Sequence, residues 1–536
     1  MVTIKVAILL LCQLFCLVLA VDPTVNLICN RYTGYSTPNG ITQWLGIRYA
    51  APPLGDLRFA PPQDPPCNFT ATQEATQHGP LCLAVGSSPP SSGTSEDCLF
   101  LDVYAPSNAT RNSKLPVFVF IQGGGFSVDS NPNLNGSGLI EASDYNVVIV
   151  TFNYRVGPYG FITNGNQIKA NNGLRDQRKA LQWVNRYISA FGGDPGRVVL
   201  GGDSAGAASI SLQMIAYGGR NSGLFHGAAA ESVSFAPVLT IAQSQYQYNN
   251  FTMRLGCSNS TNSLACLRSK TSTELQTANT VWPYPGLSQA PLYMWNPVLD
   301  NDFLTDYTYS AFAKGNFAKI PVIFGDDTNA GTVFTPQDTS TLAQSNQFIQ
   351  DQFPNITQQQ LEKIDEMYPN PNDTCPNTGC YWRQVSNVYG DMRYMCPTLY
   401  ISSAMANHGV SSTYTYRYNV EDPAEIAAGL GVPHTIELAA IWGPQNTNGS
   451  PPKSYVSNGT NAEVVPVIQA YWTSFIRTLD PNTFKVPESA TWEKWDSGEE
   501  NRLLFDTGGK TSMENVDEDT KTHCQYFASI GVDIQQ

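Results

Sequence analysis

From about residue 115 onward, short unbroken apolar runs alternate with stretches whose apolar residues fall at helical spacing. Leu115–Ile121 and Val147–Phe152 are continuous apolar runs, the pattern of strands buried on both faces. Gly173–Phe191 then carries Leu174, Ala180, Leu181, Val184 and Ile188 at the spacing of an amphipathic helix. Arg197–Gly201 predicts another buried strand, and Ala205–Met214 the helix after it. Lys319–Gly325 and Thr413–Tyr418 predict later strands. Alternation of this kind builds a mostly parallel sheet with helices on both faces, and such sheets place their sites at the carboxyl ends of the strands. The first hundred residues, rich in Pro and Cys, predict a small N-terminal antiparallel extension.

Composition narrows the class. Residues 1–20 combine one lysine, an apolar stretch from Val6 and small residues before Val21, the pattern of a cleavable signal peptide too short for a comfortable membrane span. Residues 21–536 then form a single domain, with 42% hydrophobic residues to fill a large core and no long linker. The polar C-terminal residues argue against a lipid anchor and against an ER-retention signal. A net charge of −14 without any Lys/Arg cluster excludes nucleic acid and an anionic membrane as expected partners. Removing Cys12 and Cys16 with the leader leaves an even set of cysteines, which in an exported chain implies disulfides. Sequons at Asn68, Asn108, Asn135, Asn250, Asn259, Asn355, Asn372, Asn448 and Asn458 agree with a secreted glycoprotein of eukaryotic origin.

The chemistry begins at Gly202-Asp203-Ser204-Ala205-Gly206, directly after a predicted strand and opening a helix. A tight strand-to-helix turn lifts the serine hydroxyl above the sheet, and the flanking glycines permit the crowding. The helix N-terminus below it favours developing negative charge. Gln122-Gly123-Gly124-Gly125 follows the strand ending at Ile121, at the same end of the sheet. The amides of Gly124 and Gly125, with that of Ala205, are the expected oxyanion donors. A phosphate cradle is the weaker reading, because no Gly-Lys-Ser/Thr follows.

The base should be a histidine downstream of the serine and of an intervening acid. His78 precedes the serine, His226 follows too closely, His408 ends a helix, and His523 adjoins Cys524 near the C-terminus. His434, in the loop after Thr413–Tyr418 and before a helix near Ile436, remains. The acid should follow Lys319–Gly325, where the chain offers Asp326 and Asp327 but no glutamate. Either could equally be a solvated loop carboxylate.

With these residues in place, nearly the whole chain resembles the type-B carboxylesterase/lipase family, which includes fungal esterases and lipases and animal cholinesterases. The matching segments are Gly46–Ala50, Pro53–Phe59, Glu96–Asp102, Asn153–Gly160, Gly173–Gln177, Phe191–Pro195 and Gly202–Gly206. Gln122, where animal members usually carry His, is similar to filamentous-fungal and yeast members. The resemblance implies the α/β-hydrolase fold, Ser204 as nucleophile, His434 as base, and Gly124, Gly125 and Ala205 as oxyanion donors. It implies a small-molecule or lipid ester as substrate, with no cofactor and no metal. It also implies disulfides Cys67–Cys98, Cys257–Cys266 and Cys396–Cys524, leaving Cys29 to pair with Cys82 and Cys375 with Cys380. In one place the chain departs from the family: the usual Asn/Asp-Glu-Gly reads Asn329-Ala330-Gly331, so Ala330 occupies the position of the triad glutamate. Three outcomes stay open. Asp326 or Asp327 serves, another carboxylate such as Glu231 or Glu437 serves, or the enzyme is slow. The alternative class is a non-catalytic binding protein on the same fold.

Overall fold

The computed structural model describes residues 23–67, 71–86, 89–370, 378–447, 449 and 451–536. Eleven strands form its central sheet: β1 (Tyr35–Ser36), β2 (Ile41–Arg48), β3 (Phe100–Pro106), β4 (Leu115–Ile121), β5 (Val148–Phe152), β6 (Gly193–Asp203), β7 (Gly227–Glu231), β8 (Val322–Asp327), β9 (Thr413–Asn419), β10 (Asn501–Asp506) and β11 (Lys510–Asn515). Their spatial order is β11-β10-β9-β8-β7-β6-β4-β5-β3-β2-β1. Strands from β5 to β10 in that order pair in parallel, while β1, β2 and β3 on one edge and β11 on the other run antiparallel.

The continuous apolar runs are explained by what covers them. In β4, Val117, Val119 and Ile121 enter one core and Phe118 and Phe120 the opposite one, because successive side chains leave a strand on opposite faces. The first core is closed by helices Asn172–Tyr187 and Ala205–Gly219, the second by Leu438–Trp442 and Val464–Thr478. A third core gathers helices between Leu342 and Asn407 with the C-terminal helix Glu518–Ile530, and it includes Ala330. Among the described residues no helix is long and apolar enough to cross a membrane. The expected leader, residues 1–20, lies outside the described residues.

The N-terminal extension is mixed rather than antiparallel throughout. Thr24–Asn26 pairs antiparallel with Arg31–Thr33, and Thr72–Glu74 joins in parallel. Two arginines fasten it to the main body, Arg58 donating to the Lys270 carbonyl at 2.7 Å and Arg155 to the Ala60 carbonyl at 2.8 Å, and each is held in a buried ion pair. Arg58 grips Glu96 with two hydrogen bonds of 2.7 Å, and Arg155 grips Asp176 in the same way at 2.7 Å. All four residues come from segments that carry the resemblance, so much of that signature is structural. Removing one partner of such a buried pair strands the other charge, which is why both ends are needed.

The disulfides correct two expected pairings. Cys29 bonds Cys67 and Cys82 bonds Cys98, in place of Cys67–Cys98 and Cys29–Cys82. Cys82 lies in a short strand that pairs with Thr94–Ser95, which carries it to Cys98 rather than to Cys29. Cys257–Cys266 and Cys396–Cys524 are formed as expected. Cys380 is disulfide-bonded, and its expected partner Cys375 lies outside the described residues. Of the sequons, Asn108, Asn259, Asn355 and Asn458 are exposed, Asn135 and Asn250 are half-buried, and Asn68, Asn372 and Asn448 lie outside the described residues.

Cys396–Cys524 spans 128 residues of sequence and ties the C-terminal helix to the third core. Replacing both cysteines by serine should lower stability by about 2–5 kcal/mol, read as an earlier thermal midpoint. An unchanged midpoint would show that packing alone holds that helix.

Candidate active site

β6 ends at Asp203 and the helix starts at Ala205, so Ser204 must turn the chain in one residue. It does so at φ 53° and ψ −118°, a strained conformation for a residue with a Cβ. Its amide donates to the Glu231 carbonyl at 3.0 Å, and its carbonyl accepts from Ala208 at 2.8 Å. The following helix crosses close over β4. A Cβ on Gly206 would lie 1.8 Å from the Ile121 carbonyl oxygen, so only glycine allows this approach. Ser204 is partly exposed at the carboxyl end of the sheet.

The glycine loop lies directly alongside. Gly123 donates its amide to Asp203 Oδ1 at 2.8 Å, and a Cβ there would stand 3.0 Å from Ser204 Cβ. Asn131 donates to the other Asp203 oxygen at 2.6 Å. Gln122 reaches Asp129 at 3.1 Å and Asn153 at 3.2 Å, holding the entrance to the loop. Gly124, at φ 110°, then turns the backbone, and Gly125 packs against the ring of Tyr293. The amides of Gly124, Gly125 and Ala205 find no backbone acceptor among the described residues.

His434 comes from the loop after β9, and that loop is pinned to the end of β8. Asn329 exchanges hydrogen bonds with Val432 at 2.9 and 3.0 Å, Thr332 donates to the Leu430 carbonyl at 2.9 Å, and Thr435 donates its amide to Asp327 Oδ2 at 2.8 Å. Tyr394 packs against the imidazole at 4.3 Å between centroids with the rings tilted by 40°, and Phe334 meets it edge-on at 5.2 Å. Both ring nitrogens are buried without a hydrogen-bond partner, although the ring edge is partly exposed. Burial first, and the positive charge of Arg393 second, push the imidazole pKa down to about 3. Other histidines have partners elsewhere: His78 with Asp102, His226 with the Val198 amide, His408 with the Ala313 carbonyl, and His523 with the Met367 carbonyl.

Each candidate acid can now be located. Asp327 faces the histidine loop but spends Oδ2 on the Thr435 amide and on Ser232 Oγ, 2.6 Å away. Glu437 accepts from Ser232 at 3.0 Å and from Tyr416 at 3.1 Å. Asp327 and Glu437 meet at the shared Ser232 hydroxyl, and burial raises the pKa of both, so the pair keeps a proton. Asp326, one position earlier on β8, points to the other face, and burial raises its pKa to about 8. Glu231 is buried against Trp472 Nε1 at 3.2 Å, with its pKa well above the usual carboxylate range. Among the described residues no carboxylate hydrogen-bonds His434. Ala330 is buried beside a cavity of about 30 Å³ lined by Asp327, Asn329, Gly331, Ser386, Gly390 and Asp391.

Residues the sequence did not single out complete the surroundings. Ser232, at the end of β7, joins the two carboxyls. Arg393 and Tyr394 sit in a π-helical turn, Asp391–Met395, a geometry without a readable sequence signal. Tyr293 and Phe334, 6.3 Å apart, bridge the glycine loop to the histidine.

Known proteins share this chain's sequence and fold. The model of the carboxylesterase family matches residues 23–527. "Secreted lipase 1" of Botryotinia fuckeliana is 31% identical, covering 89% of this chain and 88% of that one. "Lipase 2" of Geotrichum candidum is 30% identical over 87% of this chain and 88% of its own. The crystal structure of Aspergillus niger EstA superposes with a TM-score of 0.92 at 42% identity, covering 96% of this chain and 99% of that one. This chain therefore belongs to the carboxylesterase family, and its fold is that of the α/β-hydrolases.

Proposed function

We propose that the protein is a secreted carboxylic ester hydrolase with Ser204 as nucleophile, His434 as base, and Gly124, Gly125 and Ala205 as oxyanion donors. The observation that carries the reading is the strained turn at Ser204 with Gly123 of the glycine loop against its Cβ. Ser204 Oγ attacks the ester carbonyl while its proton passes to His434. The negative oxygen that forms is held by the amides, and the leaving alkoxide takes the proton from His434. Water then repeats the sequence on the acyl-enzyme and frees the acid. A shift of the His434 ring or of the serine rotamer brings the two into hydrogen bonding, since such contacts are often made only in the substrate complex.

Ala330 stands, in this reading, where the family has its acid, and the consequence is specific. A carboxylate at the imidazole sets its tautomer and stabilises the imidazolium; disabling that role in a serine protease costs on the order of 10⁴ in turnover. Here burial first, and the Arg393 charge second, keep the proton affinity of His434 low, and proton transfer is correspondingly slow. Asp327 acts on the histidine through its neighbour, holding the Thr435 amide and thereby the loop. Passage through the secretory pathway is supported by secreted relatives and by the four described disulfides, and the exposed Asn108, Asn259, Asn355 and Asn458 are proposed as glycan sites.

A second reading, a binding protein without turnover, is favoured by the unpartnered His434 nitrogens. A fluorophosphonate probe separates the two. Labelling at Ser204 within minutes supports the hydrolase, and no labelling at millimolar probe supports the binding protein. Ser204→Ala should abolish both labelling and hydrolysis of p-nitrophenyl butyrate; full activity in that variant would refute the nucleophile.

Ala330→Glu should raise kcat on the same ester more than tenfold, with Ala330→Gln as the uncharged control. The pH profile should move as well. Activity needs the neutral imidazole, and a pKa near 3 puts the acid limb of kcat/KM below about pH 4. A glutamate at 330 stabilises the protonated form, raises that pKa, and should shift the limb toward pH 6. Unchanged turnover and an unmoved limb in a folded variant would mean that residue 330 does not address His434.

A further inference from the structure

A cavity of about 260 Å³ opens where the N-terminal extension meets the helix Asn172–Tyr187, and none of the residues of the site above lines it. Lys179, Gln182, Trp183 and Arg186 recur along that helix at intervals of three and four, so one helix face forms a wall. Tyr32, in the strand Arg31–Thr33, and Arg48 and Tyr49, at the end of β2, form another. The Cys29–Cys67 disulfide also borders the cavity and fixes two segments of the extension that are 38 residues apart in sequence. The volume falls just below the roughly 300 Å³ at which small-molecule pockets begin, which suits a small ligand and not a peptide.

The chain carries a net charge of −14, yet this cavity is bordered by three cations and one carboxylate, Asp64. Ion pairs account for two of the cations: Arg48 meets Asp97 at 2.6 Å, and Lys179 meets Asp64. Arg186 is exposed and forms no ion pair or side-chain hydrogen bond among the described residues; its guanidinium carbon lies 5.2 Å from the centre of the Tyr187 ring. A second free donor lies deeper. Trp183 is 4% exposed and packs on Tyr187 and Phe191 at 5.5 and 5.8 Å between centroids, but its indole N–H has no hydrogen-bond partner among the described residues. The partnerless N–H groups of Trp282, Trp295, Trp382 and Trp442 are sealed from solvent; that of Trp183 is not, and its ring lines the cavity. Arg186 follows Trp183 by three residues, which sets their Cβ atoms about 5–6 Å apart on the same helix face. Two donors so spaced, with no protein acceptor, call for an acceptor from outside.

We propose that this cavity is a second binding site, separate from Ser204, for a small aromatic carboxylate held by the Arg186 guanidinium and the Trp183 indole N–H. A carboxylate accepts only, has two oxygens to share between the two donors, and matches the planar guanidinium fork. The aromatic part follows from the walls, since Tyr32, Trp183 and Tyr187 offer rings that a further ring meets edge-on or offset. Arg48 and Lys179, each already paired, add positive potential that favours an anion over a neutral or cationic ligand. Binding is non-covalent, and the proposal does not depend on the hydrolase reading.

The test is equilibrium dialysis at pH 7 on the full chain with Ser204 capped by a fluorophosphonate, or replaced in Ser204→Ala, so that the catalytic serine is out of the measurement. Three probes separate charge from ring: 4-hydroxybenzoate, its neutral isostere 4-hydroxybenzamide, and cyclohexanecarboxylate, which has the charge without the aromatic ring. One equivalent of 4-hydroxybenzoate should bind, about tenfold or more tighter than the amide, the scale of hydrogen bonds to a charged group, and more tightly than cyclohexanecarboxylate. Arg186→Gln should weaken the acid by about tenfold and Trp183→Phe by about threefold, with little effect of either on the amide, and Arg186→Lys should fall between wild type and Arg186→Gln. Equal affinity for acid and amide, undiminished affinity in Arg186→Gln, or no binding at millimolar acid would each overturn the proposal. Cyclohexanecarboxylate binding as tightly as the aromatic acid would overturn the stated ligand class. Should Trp183→Phe fail to fold, the probes and the variants of the exposed Arg186 still decide the matter.

Discussion

Every part of the site follows from how closely one helix passes over one strand. Gly202 of β6 pairs in parallel with Ile121 of β4, and four residues later Gly206 crosses directly above the Ile121 carbonyl. Ser204, between the two glycines, is forced into a conformation it would otherwise avoid, and its side chain is driven out of the sheet. The same register makes Gly123 and Ser204 equivalent positions, each two residues beyond a paired residue, which is why they touch. Asp203 secures the junction with one oxygen on the Gly123 amide and the other on Asn131. A methyl group on Gly206 would lift the helix, release the turn and separate the serine from the glycine loop in one step.

Parallel register then carries acidic residues to the same end. Asp203 pairs with Glu231, Glu231 with Gly325, and Asp327 with Tyr418. These carboxyls sit where strands stop and water is scarce, so burial raises their pKa values: Asp203 to about 7, Asp326 to about 8, Glu231 and Asp327 well above the usual carboxylate range. Several carboxylates so close could not all ionise without strong mutual repulsion. Asp203, Glu231 and Asp327 serve as hydrogen-bonding struts between strands, helices and loops, whereas both Asp326 oxygens lack a partner. Aromatic packing does the rest, since Tyr394 and Phe334 fix the plane of His434 without supplying a charge.

The features legible in the sequence were those set by local pattern. Continuous apolar runs marked β4, β5 and β6 because both faces of those strands are covered, and the turn at Ser204 was marked by glycines that close contact requires. His434 was singled out by elimination, because histidines are few and chain order is constrained. Features set by tertiary path were not legible. Cys67 could be matched to Cys98 only by analogy, whereas the strand at Leu81–Cys82 brings Cys82 there instead. The mixed pairing of the N-terminal sheet depends on Thr72–Glu74 returning beside Arg31–Thr33, which no local pattern records. Arg393 reads as one charge on an amphipathic helix, and only the π turn directs it inward. Likewise, Ala330 is visible in the sequence, but whether a carboxylate lies against His434 is a question of direction that needs coordinates.

On direction, the nearest carboxylates are poorly placed to take over. Asp326 leaves β8 on the face away from Glu437 and the histidine loop, and one residue of strand cannot be rotated without reversing every neighbour. Asp327 leaves on the correct face, but its hydrogen bond to the Thr435 amide is part of what holds the loop carrying His434. Turning that carboxylate toward the imidazole would leave the amide without its acceptor, a loss of about 1–3 kcal/mol where water cannot substitute. It would also have to give up a proton shared with Glu437 in a buried setting. Asp327 therefore holds the backbone of the loop through Oδ2 and makes no bond to its histidine. This arrangement leaves the imidazole without a carboxylate partner among the described residues.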